Sequence, residues 1–121
     1  MTKQIWVSFT QPGFHCWPEA PVSREYLSWP HRHLFYVKVT TKVEDSNREV
    51  EFHDLLAIAR PIFKYALTCK QVSRGNSTCT TQSCEQLAEY LLEKLDELWP
   101  NRQWIVIVSE DNECGATIMN S

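Results

Sequence analysis

Apolar and polar residues alternate over residues 3–10, and this pattern predicts a β-strand. Successive side chains of a strand point to opposite faces, so every second residue from Ile5 to Phe9 shares one face. Pro12 and Gly13 follow closely. Because proline cannot donate a ladder hydrogen bond and glycine relaxes the backbone, we expect the strand to bend or bulge at these two residues.

A second alternating stretch covers residues 31–43 and follows a proline-rich loop, residues 18–30, with one helical turn predicted near residues 23–27. Two imidazoles side by side at the start of a strand can supply two ligands to one metal ion, but a third ligand must come from elsewhere. Alternatively, one histidine belongs to a hydrogen-bond network and the other is incidental. The face in question carries two histidines and then apolar residues: His31, His33, Phe35, Val37 and Val39.

Two later stretches have apolar residues at helical spacing. The first begins at Phe52 and contains Pro61, where we expect a kink or a break because proline removes a helical hydrogen bond. The second begins at Ser83, whose hydroxyl can form a capping box with Gln86, and ends before Pro100. Its predicted apolar stripe consists of Cys84, Leu87, Ala88, Leu91, Leu95 and Leu98.

The remaining segments complete the order of elements. Residues 68–82 are polar and lack periodicity, which predicts either a functional loop or a floppy connector. Residues 104–109 form a continuous apolar strand, and residues 116–119 a short final strand. The order β-β-α-α-β-β predicts an α+β fold with two helices on one face of an antiparallel sheet. The open edges of such a sheet favour oligomerisation.

Composition narrows the classes of function. The 121 residues predict one domain over 1–121. The net charge is −3 and no cluster of Lys and Arg occurs, which argues against a nucleic-acid partner. The sequence has neither a membrane-length apolar span nor a signal-peptide pattern, so we expect no membrane association and a cytoplasmic location. Five irregularly spaced cysteines predict free thiols.

Five short motifs follow one another along the chain in a distinctive order and spacing. They are a histidine after the first strand, a His-x-His pair, an acidic residue followed by phenylalanine, a Ser-x-Glu helix start and a glutamate that ends a strand. Here they read His15, His31-Arg32-His33, Glu51-Phe52, Ser83-Cys84-Glu85 and Val108-Ser109-Glu110. In these motifs the chain resembles the 6-pyruvoyl-tetrahydropterin synthase and 6-carboxy-tetrahydropterin synthase family, over almost its whole length.

The resemblance implies the tunnelling fold, in which a four-stranded antiparallel sheet has two helices between strands 2 and 3. Its subunits assemble into a barrel, a homohexamer with ligand pockets between subunits. The resemblance further implies a zinc ion bound by His15, His31 and His33, and a role for Glu110 in holding the amino-pyrimidine edge of a pterin. Without the resemblance, Glu110 would be interpreted as a solvated carboxylate in a turn.

The chain departs from the family at the acid–base residues. The synthases have a cysteine shortly before the His-x-His pair, where residues 26–29 read Tyr-Leu-Ser-Trp, and an Asp-His pair where residues 67–70 read Leu-Thr-Cys-Lys. Glu25 is the candidate catalytic residue, two residues out of register with the family cysteine. Cys16 and Cys69 are either substitutes for that cysteine or buried, inert thiols.

Two classes of function therefore follow from the resemblance. The first is a divergent zinc-dependent synthase that acts on a GTP-derived pterin or nucleotide-like molecule. The second is a protein that sequesters such a ligand without turnover, with Arg32, Lys70 and Arg74 near its phosphates. Arg32 replaces the family glycine and points away from the histidines, so a surface or inter-subunit salt bridge is the alternative role. A purely structural ring is a third option.

Overall fold

One six-stranded sheet organises the chain in the computed structural model, which describes residues 1–120. The strands lie side by side in the order β3-β4-β1-β2-β5-β6. They are antiparallel except where β1 and β4 pair in parallel at His15 and Thr80. The elements in chain order are β1 (Lys3–His15), a 3-10 helix (Val22–Ser28), β2 (His31–Val43), α1 (Phe52–Thr68), β3 (Gln71–Arg74), β4 (Ser77–Thr80), α2 (Cys84–Leu98), β5 (Trp104–Glu110) and β6 (Cys114–Met119).

The predicted α+β class is confirmed, but the four-stranded antiparallel sheet implied by the resemblance is wrong. The two additional strands, β3 and β4, form a hairpin in the polar stretch for which the sequence predicts a loop. Its two-residue turn is Gly75 and Asn76, and Gly75 has a left-handed φ of 63°. Each strand has only four residues with few apolar side chains, so hydrophobic alternation could not reveal them.

The first strand continues through Pro12 and Gly13 in unbroken register, so the predicted bulge is wrong. β1 pairs with β2 without interruption from Lys3, opposite Val43, to His15. On its other side β1 pairs with β4 only at His15, so Pro12 lies beside an open edge, where sheets tolerate proline. The uninterrupted register brings His15 directly opposite the first residue of β2.

The core lies between one face of the sheet and the two helices. Phe35, Val37 and Val39 are buried there, so the histidine-bearing face of β2 is the face that the helices cover. The helix α1 continues through Pro61, so the predicted break is wrong. Ala57, whose carbonyl loses its helical partner, and Pro61 are both exposed, so water can hydrate that carbonyl.

The helix α2 begins as predicted. Ser83 Oγ accepts a hydrogen bond from the backbone N–H of Gln86, and the Gln86 side chain accepts one from the N–H of Ser83, so the capping box is confirmed. Five of the six stripe residues are buried, but Leu98, the last residue of the helix, is 55% exposed. Within residues 1–120, no helix is long and apolar enough to cross a membrane.

The cysteines differ most from the sequence-based expectation. Cys16 and Cys79 form a disulfide, so the prediction of free thiols is wrong for these two residues. They lie 63 residues apart and meet because Cys16 directly follows the end of β1, where the backbone N–H of Cys16 donates to Thr80 O. Cys69 is exposed, so the interpretation of this residue as a buried thiol is wrong. The disulfide therefore fixes the hairpin against the end of β1, next to His15.

Candidate metal centre

Three histidines meet at one end of the sheet. His15 lies opposite His31 across the β1–β2 ladder, and His33 is two residues further along the same face. Their rings are 4.7 to 6.3 Å apart, centroid to centroid. One nitrogen from each ring lies within 4.8 Å of the other two, and all three residues are half-buried. Convergence of the three histidines, the central prediction from the sequence, is present in the structure.

Hydrogen bonds to groups outside the cluster orient two of these rings. His31 Nδ1 donates to the backbone oxygen of Trp29 over 2.9 Å. His33 Nδ1 donates to Asp111 Oδ2 over 2.7 Å. Both acceptors can only accept a proton, so in each neutral ring the Nδ1 carries the hydrogen and Nε2 presents a lone pair. The two lone pairs therefore lie on the atoms that point into the cluster.

The third ring, His15, is suited to bind a metal at neutral pH. Its Nδ1 lies 3.2 Å from His31 Nε2. Burial lowers the pKa of His15 below its ordinary value of 6.5, although the Glu110 carboxylate and a hydrogen bond with the Gln82 backbone act in the opposite direction. The two neighbouring imidazoles lower it further. A neutral imidazole is the form that coordinates a metal.

Glu110 ends β5 beside the histidines, as the motif order predicts. Its Oε2 lies 3.4 Å from His33 Nε2. Its Oε1 is 3.9 Å from the Sγ of Cys84, the first residue of α2. Burial, followed by the nearby Glu110 charge, raises the pKa of Cys84 to about 12. Cys84 is therefore a neutral thiol that donates a weak hydrogen bond, and not an activated nucleophile.

Asp111 is the residue at this site that sequence reasoning missed. Its Oδ1 accepts a hydrogen bond from the Leu34 N–H over 2.9 Å, and its own N–H donates to Leu34 O over 2.7 Å. The hydrogen bond from Leu34, and then the one from His33, lower the pKa of Asp111. The carboxylate thus stays ionised and holds His33 in one tautomer. In the sequence, only the position of Asp111 next to Glu110 could have indicated that it belongs to this site.

A cleft of about 740 Å³ opens next to the histidines. Its walls include His15, His31 and Glu110 from the sheet, Cys114 from β6 and the first turn of α2 at residues 83–86. Clefts of 300 to 1,000 Å³ commonly hold small molecules or cofactors. Two of the three imidazoles, His15 and His31, are therefore accessible from the cleft.

The other predicted site residues lie outside this cleft. Glu25 is exposed on the 3-10 helix, and only Leu27 of that helix lines the cleft. Arg32 is exposed on the opposite face of β2 from the imidazoles, as its position between them predicts. Arg74 stacks over the ring of Trp29 at 4.5 Å, and Lys70 is exposed. None of these four residues lines the cleft of this chain.

The donor set resembles a transition-metal site more than a hydrogen-bond network. Three imidazoles from two strands present nitrogen atoms to one another, and nitrogen is a preferred ligand of zinc. Oxygen-rich sites typical of magnesium or calcium have a different composition. Compared with protein-family models and with curated proteins, the chain matches none of them.

Proposed function

We propose that the chain binds a zinc ion through His15, His31 and His33 and binds a small molecule in the adjacent cleft. The observation that carries the proposal is the orientation of the rings. His31 and His33 donate their Nδ1 hydrogens outward, so the Nε2 lone pair of His31 faces His15 and that of His33 faces Glu110. Lone pairs that face one another repel unless a cation lies between them.

The residues fit a zinc ion in both chemistry and position. Imidazole nitrogen is a preferred zinc ligand, and each ring has a further hydrogen-bond partner, as is usual for metal-bound histidine. Zinc held by these residues would act as a Lewis acid toward an oxygen atom of a molecule in the cleft. The cleft walls then orient that molecule, and Glu110 can accept two parallel N–H bonds from a guanine-like ring.

The first candidate function is that of a divergent synthase-like enzyme. Its substrate would be a GTP-derived pterin or a nucleotide-like molecule, in keeping with the motif resemblance and the size of the cleft. Proton transfer then requires an acid–base group. Glu25, the predicted candidate, is exposed outside the cleft of its own subunit, so it would act only if the 3-10 helix moved or a neighbouring subunit supplied it.

The second candidate function is sequestration of the same kind of ligand without turnover. It is favoured by the chemistry of Cys84, the buried thiol that lines the cleft. With its pKa raised to about 12, that thiol is protonated at neutral pH and cannot replace the missing family cysteine as a base. Binding alone requires only the metal and the walls of the cleft.

Assembly into a homo-oligomer, a hexamer by resemblance, is part of this proposal. The sheet face without helices exposes Trp6, Phe14 and Tyr36, and the terminal strands of the sheet, β3 and β6, have free edges. Exposed aromatic surface and open edges are features that subunit contacts cover. Such contacts would complete the cleft, and light scattering coupled to size-exclusion chromatography measures the number of subunits.

Zinc stoichiometry tests the metal site directly. Elemental analysis of zinc-loaded protein after dialysis should give one zinc per chain, and His31→Ala should lose it. His53→Ala is the matched control, because His53 is exposed on α1 and should leave the zinc content unchanged. Absence of zinc from the wild type, or equal loss in both variants, would contradict the proposal.

A second measurement separates the two candidate functions. The enzyme function predicts multiple turnover of dihydroneopterin triphosphate that is abolished in His31→Ala. The sequestration function predicts that a small molecule copurifies with the zinc-loaded protein, identified by mass spectrometry, with no turnover of that triphosphate.

A further inference from the structure

Glu110 is directed toward the cluster of imidazoles as well as the cleft, and the following inference rests on the proposed zinc site. Its Oε2 lies 3.4 Å from His33 Nε2. That nitrogen carries a lone pair, because the Nδ1 of the same ring donates to Asp111 over 2.7 Å. Two acceptors at this distance form no hydrogen bond, so the contact requires either a proton on His33 Nε2 or a cation between the two atoms.

The opposite side of the cluster has a similar contact. His31 Nε2 also carries a lone pair, because His31 Nδ1 donates to Trp29 O, and it lies 3.2 Å from His15 Nδ1. A neutral His15 has one N–H, and its hydrogen bond with the Gln82 backbone can use it. Two pairs of potential ligand atoms therefore face each other at nearly the same separation.

These separations match those of ligands that share one zinc ion. Zinc binds nitrogen and oxygen at about 2.0 to 2.2 Å in a tetrahedron, which sets neighbouring ligand atoms roughly 3.3 Å apart. The two observed distances are 3.2 and 3.4 Å. The nitrogen atoms of the three histidines lie within 4.8 Å of one another, whereas Glu110 is outside that group, so Oε2 joins the site by a movement toward His15 and His31. We propose that Glu110, through Oε2, is the fourth protein ligand of the zinc ion, in addition to His15, His31 and His33.

The other oxygen of Glu110 is held in place by the start of α2. Cys84 Sγ donates to Oε1 at 3.9 Å, and Cys84 is buried at the first position of that helix. The thiol thus orients the carboxylate so that Oε2 faces His33. With four protein ligands the zinc has no vacant position, so a molecule in the cleft reaches the metal only by displacing Glu110. The displaced carboxylate is then able to accept N–H bonds from that molecule.

Zinc affinity, measured by competition with a chromophoric chelator, tests this assignment. Glu110→Gln keeps the shape of the side chain but removes its charge, and should weaken zinc binding by at least about 10-fold while one zinc still binds. Glu113→Gln is the matched control, because Glu113 lies in the same turn and is exposed. The proposed zinc site itself is tested separately by His31→Ala, which should lose zinc altogether.

Cobalt substitution gives a readout that does not depend on activity. The visible absorption of Co²⁺ bound to Glu110→Gln should differ from that of the wild type, because one ligand has changed. Added azide should alter the spectrum of Co²⁺-loaded Glu110→Gln at concentrations that leave the wild type unaltered, since the variant has a vacant position. The lack of an azide response by the Co²⁺-loaded wild type tests the inference even if Glu110→Gln folds poorly.

Each outcome distinguishes the two proposals. Unchanged or tighter zinc binding by Glu110→Gln, with binding lost in His31→Ala, would overturn the role of Glu110 and leave the three-histidine site standing. Tighter binding would mean that Glu110 only pairs with a protonated His33 and competes with the metal. A response of the Co²⁺-loaded wild type to low azide would also overturn the inference. If wild-type protein binds no zinc, both proposals are wrong.

Discussion

The polar side chains at the two ends of strands β1, β2 and β5 differ in whether their acceptor atoms have hydrogen-bond donors. At the Glu49 end, the Glu49 carboxylate accepts hydrogen bonds from the backbone N–H groups of Glu44 and Asp45 and from Arg102 Nη1, all between 2.8 and 2.9 Å. These bonds lower its pKa to about 2. At the histidine end, formed by His15, His31, His33 and Glu110, potential acceptors face other acceptors.

The difference shows how a structural cluster can be told from a binding site. The Glu49 end is complete, because each acceptor has donors from the protein itself. At the histidine end, the Nδ1–H groups of His31 and His33 donate to Trp29 and Asp111, which lie outside the cluster. The Nε2 atoms of these two rings therefore carry lone pairs and have no donor within the cluster. Such an arrangement needs a cation or protons from outside. The following experiments test the contrast, from the largest expected effect to the smallest.

Removing the disulfide should produce the largest loss of stability. The Cys16–Cys79 bond closes a long loop, with a sequence separation of 63 residues. In the chain-entropy model a cross-link of that length contributes about 4 kcal/mol to the free energy of unfolding. The double variant Cys16→Ser with Cys79→Ser should lose most of this in urea unfolding, and its zinc affinity should fall, because His15 adjoins Cys16.

The control for this experiment is Cys69→Ser, since Cys69 is an exposed free cysteine. It should leave both stability and zinc affinity unchanged. If the double variant is as stable as the wild type under oxidising conditions, the disulfide is not a source of stability at the histidine end.

Reversing the tautomer of His33 should have the next largest effect. Asparagine tolerates the left-handed φ of 55° at position 111, and its amide oxygen can still accept from Leu34 N–H. Its NH₂ group, however, would donate to His33 Nδ1 and move the ring hydrogen to Nε2, the metal-facing atom. Asp111→Asn should therefore weaken zinc binding by about 10- to 100-fold, as measured by chelator competition. Equal affinities of variant and wild type would exclude this role of Asp111.

The smallest effect concerns the Glu49 end and depends on pH. The folded-state pKa of Glu49, about 2, lies below its ordinary value of 4.5, so the ionised carboxylate stabilises the fold above pH 4.5. That contribution is lost as the pH falls from about 4.5 toward 2. Glu49→Gln should lower the melting temperature at pH 7, and the difference from the wild type should shrink steadily below pH 4.5. The zinc affinity of Glu49→Gln should equal that of the wild type. A difference in melting temperature that does not change with pH would contradict the stabilising role of the ionised Glu49 carboxylate.

Features that depend on a sustained apolar pattern, or on residues close together in the chain, could be predicted from the sequence. The alternation from His31 to Val39 gave the correct strand and the correct buried face. The Ser83–Gln86 pair gave the correct start of α2. The meeting of the three histidines was predicted from motif order, with the pair on β2 following from strand geometry alone.

The features that sequence reasoning missed depend on partners that are distant in the chain or belong to the backbone. Cys16 and Cys79 become neighbours only through a parallel contact between two strands. His31 donates a hydrogen bond to the backbone carbonyl of Trp29. Because every residue has a backbone carbonyl, the sequence gives no sign of this contact. Pro12 suggested a bulge, but the register is unbroken and an open sheet edge accommodates the proline. The β3–β4 hairpin lacks the apolar alternation that would have distinguished it from a loop.

The uninterrupted ladder between β1 and β2 has a consequence for how this chain can change over evolution. Loss or gain of one residue inside either strand turns every following side chain to the other face, unless a bulge absorbs it. A change of one residue inside β1 would then turn His15 away from His31 and His33. Homologues that keep the site should therefore vary freely in outward-facing side chains, yet preserve strand length between Lys3 and His15.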